Sequence, residues 1–179
     1  MGQITTAHGI GVVVDGATSI HNRTFCRCFE LRSVTSKTSV RWQEAFAWSD
    51  KQKSITAQGL VETIVSSAFY GCTISSFKIP RSVVFFGKNP FSNRTCLKEI
   101  DVLENLNFVF VDGVLIDKGM TQIINCDPSK KGDYSILITV AAIGNGAFTK
   151  CSSLTSIALP ESVKEIGYGA LAFCHCLVQ

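Results

Sequence analysis

The stretch that decides the fold is Ile143-Gly-Asn-Gly-Ala-Phe148-Thr-Lys-Cys151-Ser-Ser-Leu154-Thr-Ser-Ile157-Ala-Leu159-Pro160-Glu-Ser-Val163-Lys-Glu165, because it begins again at Ile166-Gly-Tyr-Gly-Ala-Leu171. The step from Phe148 to Leu171 is 23 residues, and self-similarity at such a period is the mark of a repeat architecture. Working outward, Ala45-Phe46, Ala68-Phe69, Thr24-Phe25 and Pro90-Phe91 fall into line with Ala147-Phe148 and Ala170-Leu171. The anchors lie at 25, 46, 69, 91, 148 and 171, with steps of 21, 23, 22, 57 and 23. Other positions keep step with them. Ile20, Ile64, Phe86, Ile143 and Ile166 lie five residues before an anchor, and Val61, Val83, Val140 and Val163 eight before. Pro80 and Pro160 lie eleven before, and Cys28, Cys72, Cys151 and Cys174 three after.

The pattern has a physical reading. Leu154-x-x-Ile157-x-Leu159 suits a short strand with one buried face. Pro160 then ends the strand, because it has no N–H for a ladder. Gly144 and Gly167 are read as turn residues, and Ala-Phe as a short helical turn that drops a ring into the core. One unit cannot bury its apolar face alone, whereas stacked units can. The expected fold is therefore an α/β repeat solenoid of about six coils of ~23 residues, each a short strand plus a short helical turn. The repeat around Phe46 is degenerate: Ser49 replaces the cysteine, Gln58 the proline, and the step from Phe25 is short.

The pattern Leu-x-x-Ile-x-Leu-Pro-x-Ser-Val-x-x-Ile-Gly-x-x-Ala-Phe-x-x-Cys resembles the leucine-rich repeat of the BspA-like surface-antigen family, found in bacteria and in parasitic protists such as trichomonads. The resemblance runs from about Ile20 to the end of the chain. It implies a non-enzymatic protein-interaction module that adheres to host cells or matrix proteins, and it implies a cell-surface location. Fold alone does not carry function, so two other readings stand beside it: an intracellular leucine-rich-repeat scaffold in the cytoplasm, or an incomplete, silent fragment of a longer repeat protein.

The 57-residue step equals one repeat plus about 34 residues. Within it, Phe108-Val-Phe-Val111, Asp112-Gly113 and Val114-Leu-Ile-Asp117 read as a two-residue β-hairpin. A further strand is expected over Thr121-Gln-Ile-Ile-Asn125, a loop over Asp127–Gly132, and re-entry into the repeat at Tyr134-Ser-Ile136 with Leu137 at the proline position. The expected organisation is a degraded N-terminal repeat over 1–19, leucine-rich repeats over 20–102, a β-hairpin island over 103–135, and repeats over 136–179 with no polar cap. An uncapped end is expected to self-associate edge to edge.

Composition removes several classes. Of 179 residues, 46% are apolar and 17% charged, which excludes a disordered chain. A net charge of +3 without a basic stripe argues against nucleic acid. No transmembrane segment is expected, since the best apolar run, Phe108 to Ile116, is short and broken by Asp112. The first fourteen residues lack the basic and apolar regions of a secretory signal. Met1-Gly2-Gln3-Ile4-Thr5-Thr6 fits the loose N-myristoylation pattern.

Candidate chemistry is sparse. The chain has eight cysteines. The four at the repeat position read as small buried hydrophobes, with a Cys151–Cys174 disulfide as the alternative. Cys26, Cys96, Cys126 and Cys176 lie off that position. Cys26-x-Cys28 and Cys174-His175-Cys176 lack the spacing of a zinc knuckle, so no metal is expected. The histidines are His8, His21 and His175, and only His21 with Cys28 could be drawn as a nucleophile pair. Gly144-x-Gly146 and Gly167-x-Gly169 recur at the repeat period and are turns rather than a dinucleotide fingerprint. No catalytic residue and no cofactor is expected. Asn22-Arg-Thr24 and Asn93-Arg-Thr95 fit the N-glycosylation pattern.

Solenoids bind through the surface of their strand ladder. Residues flanking the middle apolar position of each strand are expected to point outward. They are Ser33, Thr35, Ser54, Thr56, Ser76, Lys78, Glu99, Asp101 and Ser156, with Ala158 beside the last. This hydroxyl-rich face, with one lysine-to-acid patch, suits a protein or glycan partner.

Overall fold

The computed structural model describes residues 4–7, 11–14, 19–20, 23–26, 28, 33–48, 54–72, 74–88, 90–91 and 99–177. Over 4–7, 11–14, 19, 33–41 and 54–59 it describes the backbone alone. Two compact units emerge, Met1–Leu106 and Asn107–Gln179. Every regular element among the described residues is a β-strand.

In the first unit, β1 (Ile4–Ala7) and β2 (Gly11–Val14) pair antiparallel. From there the pairing is parallel, through β4 (Ser33–Trp42), β5 (Ser54–Ile64), β6 (Ser76–Lys78) and β8 (Glu99–Asp101). Two short strands, β3 (Ser19–Ile20) and β7 (Phe85–Phe86), pair with the C-terminal ends of β4 and β5, setting Ile20 against Trp42 and Ile64 against Phe86. Each coil thus has a first strand and a short second strand, with a corner between them. At Pro80 the corner closes through the Val83 amide donating to the Pro80 carbonyl, 3.1 Å. One coil earlier Gln58 stands in its place, and β5 runs unbroken through the position.

In the second unit, β9 (Phe108–Val111) and β10 (Val114–Asp117) form the expected hairpin. Asp112 and Gly113 both have positive φ, 51° and 74°, as a type I′ turn requires. Strand β11 (Gln122–Cys126) pairs antiparallel with β10 and parallel with β13 (Ala142–Ile143), which pairs with β15 (Glu165–Ile166). A second ladder joins β12 (Lys131–Ser135) to β14 (Ser153–Ala158). The Pro160 corner recurs, and Leu137 makes the same corner without a proline ring, with Val140 donating to it at 3.0 Å.

The expected helical turn is absent, and the hydrogen bonds give the reason. After Gly144 the amides alternate. Ala147, Thr149 and Cys151 donate three residues back within the coil, to Gly144, Gly146 and Phe148. Gly146, Phe148 and Lys150 donate instead to Tyr168, Ala170 and Ala172 of the next coil. Every second amide that a helix would need is spent on the neighbour, so the segment is a chain of turns and the class is all-β. Glu44, Phe46 and Trp48 bond forward in the same way to Ser66, Ala68 and Tyr70. The backbone follows suit, with positive φ two residues before the anchor at Arg23, Glu44, Ser67, Gly146 and Gly169.

Gly144 and Gly167 open turns as expected, their carbonyls accepting from the Ala147 and Ala170 amides at 3.2 and 3.1 Å. They permit close approach of coils: a Cβ on Gly144 would lie 2.8 Å from the Ile123 carbonyl oxygen, and one on Gly167 would collide with the Asn145 backbone. The described coils amount to about four turns of leucine-rich-repeat β-solenoid, short of six. Residues 92–98 lie outside the described residues, and the hairpin takes up much of the chain after them.

Burial drives the stacking. Phe25, Phe46, Phe69 and Phe91 stack in succession, with centroids 5.2, 5.3 and 5.3 Å apart. Each fully buried ring contributes on the order of 1.5–3 kcal/mol by removal from water. Asn105, the buried polar residue among those described in this unit, donates to the Pro80 and Val83 carbonyls at 2.7 and 2.9 Å and fastens the corner. In the second unit Val114, Ile116, Ile123, Ile136, Val140, Ile143, Phe148 and Leu154 form the core.

Candidate interaction face

Strand alternation determines which side chains face out. Phe77 and Ile100 are buried in the centres of β6 and β8, so Ser76, Lys78, Glu99 and Asp101 flank them outward. The ladder register sets the rows. Ser33, Thr56, Lys78 and Asp101 lie opposite one another on successive strands, and Ser54, Ser76 and Glu99 form a second row. Thr35 lies between Val13 and Gln58. Equivalence from the preceding anchor would have set Ser33 against Ser54 and Thr35 against Thr56. The short step from Phe25 to Phe46 falls before β4, so register is keyed to the following anchor instead.

The lysine-to-acid patch exists, with an additional member. Lys78 Nζ lies 2.7 Å from Glu104 Oε1 and 3.9 Å from Asp101 Oδ2. The hydrogen bond to Glu104, its charge, and Asp101 push the Lys78 ammonium up from its ordinary value. Solvent screens exposed pairs of this kind, so the cluster shapes the surface more than it holds the fold. Glu99 is exposed and lies opposite Ser76.

Ser156 belongs to the second unit, on the ladder β12–β14. Its hydroxyl donates to Asp133 Oδ1 at 2.6 Å, and Thr155 donates to the same oxygen at 2.8 Å. The Ser156 and Thr155 hydroxyls hold the Asp133 carboxyl below its ordinary value. Ala158 flanks this group on the strand. Lys130 sits over the Tyr134 ring at 4.7 Å and pairs with Asp112 at 2.6 Å. Sequence reasoning missed Glu104, Asp133 and Thr155. Asp133 falls between the expected loop ending at Gly132 and the re-entry at Tyr134, although its alternation with Lys131 and Ser135, all within β12, was a strand signal.

The cysteine position has a structural explanation. Cys72 Sγ donates to the Phe46 carbonyl at 2.7 Å, and Cys174 Sγ to the Phe148 carbonyl at 3.0 Å. In these two coils the repeat thiol thus fastens the coil to the anchor of the coil before it. Cys151 and Cys174 are free thiols, so the alternative of a disulfide between them is not the arrangement found. Asn22, Asn93, His8, His21 and Cys96 lie outside the described residues. Among the described residues, no group of three or more His, Cys, Asp or Glu is placed to hold a metal ion. Nor is any helix long and apolar enough to cross a membrane.

The architecture has known relatives. The chain is similar to the pneumococcal vaccine antigen PcpA, at 24% identity and a TM-score of 0.75, over 94% of this chain and 49% of that one. It is also similar to a leucine-rich repeat protein from Eubacterium ventriosum, at 24% identity and a TM-score of 0.67, over 89% and 50% of the two chains. A leucine-rich cell surface protein from Faecalibacterium prausnitzii aligns at 25% identity and a TM-score of 0.67, over 87% and 42%. The chain spans about half the length of these solved structures. No curated protein matches it. The model of the BspA type leucine-rich repeat region matches in six copies over residues 18–112 and 126–179, stopping at the hairpin turn and resuming at Cys126. The chain belongs to the BspA-type leucine-rich repeat family.

Proposed function

We propose that the chain is a non-enzymatic interaction module that presents its strand ladders to a protein or glycan partner at a cell surface, in the service of adhesion. One observation carries this reading. Across β6 and β8 the side chains alternate, with Phe77 and Ile100 buried while Ser76, Lys78, Glu99 and Asp101 remain on the outward rows. Such a ladder offers a rigid, regularly spaced set of charges and hydroxyls, the kind of surface solenoids use for partners. The likeness to a bacterial cell surface protein and to a vaccine antigen supports the location.

The test is saturable binding of the purified chain to cultured host cells and to a panel of immobilised matrix glycoproteins, together with labelling of intact source cells by a membrane-impermeant amine reagent. Labelling together with saturable binding supports adhesion. A protein protected from the reagent and inert towards every surface overturns it, in favour of an intracellular scaffold.

A further inference from the structure

The anchor stations of the first unit are filled by stacked phenylalanines, but the first station of the second unit is not. Its occupant is Cys126. The Cys126 amide donates to the Ala147 carbonyl at 2.7 Å, just as the Phe148 amide donates to Ala170 at 2.8 Å and the Phe69 amide to Pro90 at 2.9 Å. A thiol therefore stands where the repeat places a ring. The neighbour it meets is the repeat cysteine of the next coil, Cys151. In other coils that cysteine reaches an anchor carbonyl, as Cys72 reaches Phe46 and Cys174 reaches Phe148. Here the Cys151 sulfur points instead to the carbonyl of Asp127, one residue past the Cys126 station. The Cys126 and Cys151 sulfurs thus converge on one acceptor, the Asp127 carbonyl, at 3.5 and 3.7 Å. Both residues are buried in the core of the second unit.

We propose that Cys126 and Cys151 are a cross-coil disulfide pair that closes when the chain folds in an oxidising medium, tying the hairpin to the coil after it. With glutathione disulfide as oxidant, one protein thiolate attacks a glutathione sulfur, forms a mixed disulfide and releases one glutathione thiol. The second protein thiolate then attacks the protein sulfur of that mixed disulfide and displaces the second glutathione. Two protein S–H bonds and one glutathione S–S bond become one protein S–S bond and two glutathione S–H bonds. The protein gives up two electrons and two protons, and glutathione disulfide gains them. Once folded, the neighbouring Cys151 thiol and burial hold the Cys126 thiol well above its ordinary range. The thiolate is the reactive form, so exchange belongs to the folding stage rather than to the closed coil.

The test is refolding of the full chain in a glutathione redox buffer and, separately, in reductant, followed by acid quench, alkylation and peptide mapping. The expected result is a cross-linked peptide pair carrying Cys126 and Cys151, two fewer alkylatable thiols than in the reduced sample, and a higher Tm that reductant reverses. The Cys126→Phe variant, which restores a ring to the station, should fold without the cross-link and lose the reductant-sensitive part of Tm. Full alkylation of both residues after oxidative refolding overturns the proposal. So does a map that joins Cys151 to Cys174 instead.

Discussion

The rings of Phe46 and Phe69 stack 5.3 Å apart with their planes 9° from parallel, and Phe91 stacks on the far side of Phe69 at 6°. Phe69 is fully buried between them. Phe69→Ala removes a ring from a rigid column and is expected to cost about 3–5 kcal/mol. Phe69→Leu should cost clearly less, since Leu171 occupies the same station one repeat set later. Urea denaturation of the three proteins measures both values.

Gly144 and Gly146 test two different uses of glycine. Gly144→Ala forces a Cβ against the Ile123 carbonyl oxygen, backbone against backbone, and is expected to destabilise by about 1–3 kcal/mol. Gly146 has φ 64°, a conformation that Arg23, Glu44 and Ser67 adopt at the same station. Gly146→Asn should therefore cost less than Gly144→Ala. Equal losses in thermal melts would contradict the assignment of close approach to Gly144.

Tyr134 is half-buried, and burial, with Cys126 and Asp112, pushes its phenol up to about 12. Ultraviolet titration should show a tyrosinate phase near that pH, and Tyr134→Phe should delete it. The folded form holds the proton more tightly than the unfolded chain. This contribution to stability is therefore complete below the ordinary tyrosine range and is lost as pH rises through about 12.

The Asp133 carboxylate has the opposite sign. Hydrogen bonds from Ser156 and Thr155 lower its pKa, so its contribution is present above the ordinary carboxylate range and is lost as pH falls through the lowered value. Ser156→Ala should move the Asp133 carboxyl resonance back up the pH scale in an NMR titration. An unchanged titration would mean that the Ser156 hydroxyl is not bound to Asp133 in solution.

The legible and illegible parts of this chain divide on physical grounds. The hairpin at Asp112-Gly113 was legible because its turn chemistry is local, and the anchors were legible because burial imposes a period. The replacement of helix by cross-coil bonding was not, because the choice of acceptor for the Phe148 amide depends on a turn residue of the next coil 22 residues on, Ala170. Cys126 lies off the repeat cysteine position, as expected, but its place at an anchor station was illegible for the same kind of reason. Its side chain breaks the pattern, and only the bond from its amide to Ala147 places it at an anchor. Lys78 was placed on an outward row from alternation, whereas its pairing with Glu104 depends on how the chain turns after β8.

The outward rows of the first-unit ladder are the heart of the functional account. The most direct measurement compares matrix-glycoprotein and host-cell binding of the native chain with that of a variant carrying Lys78→Glu, Glu99→Lys and Asp101→Lys. These side chains are exposed or half-buried at the surface, so Tm should change little. The account predicts at least a tenfold loss of affinity with the fold intact. Undiminished binding by a folded variant would contradict it.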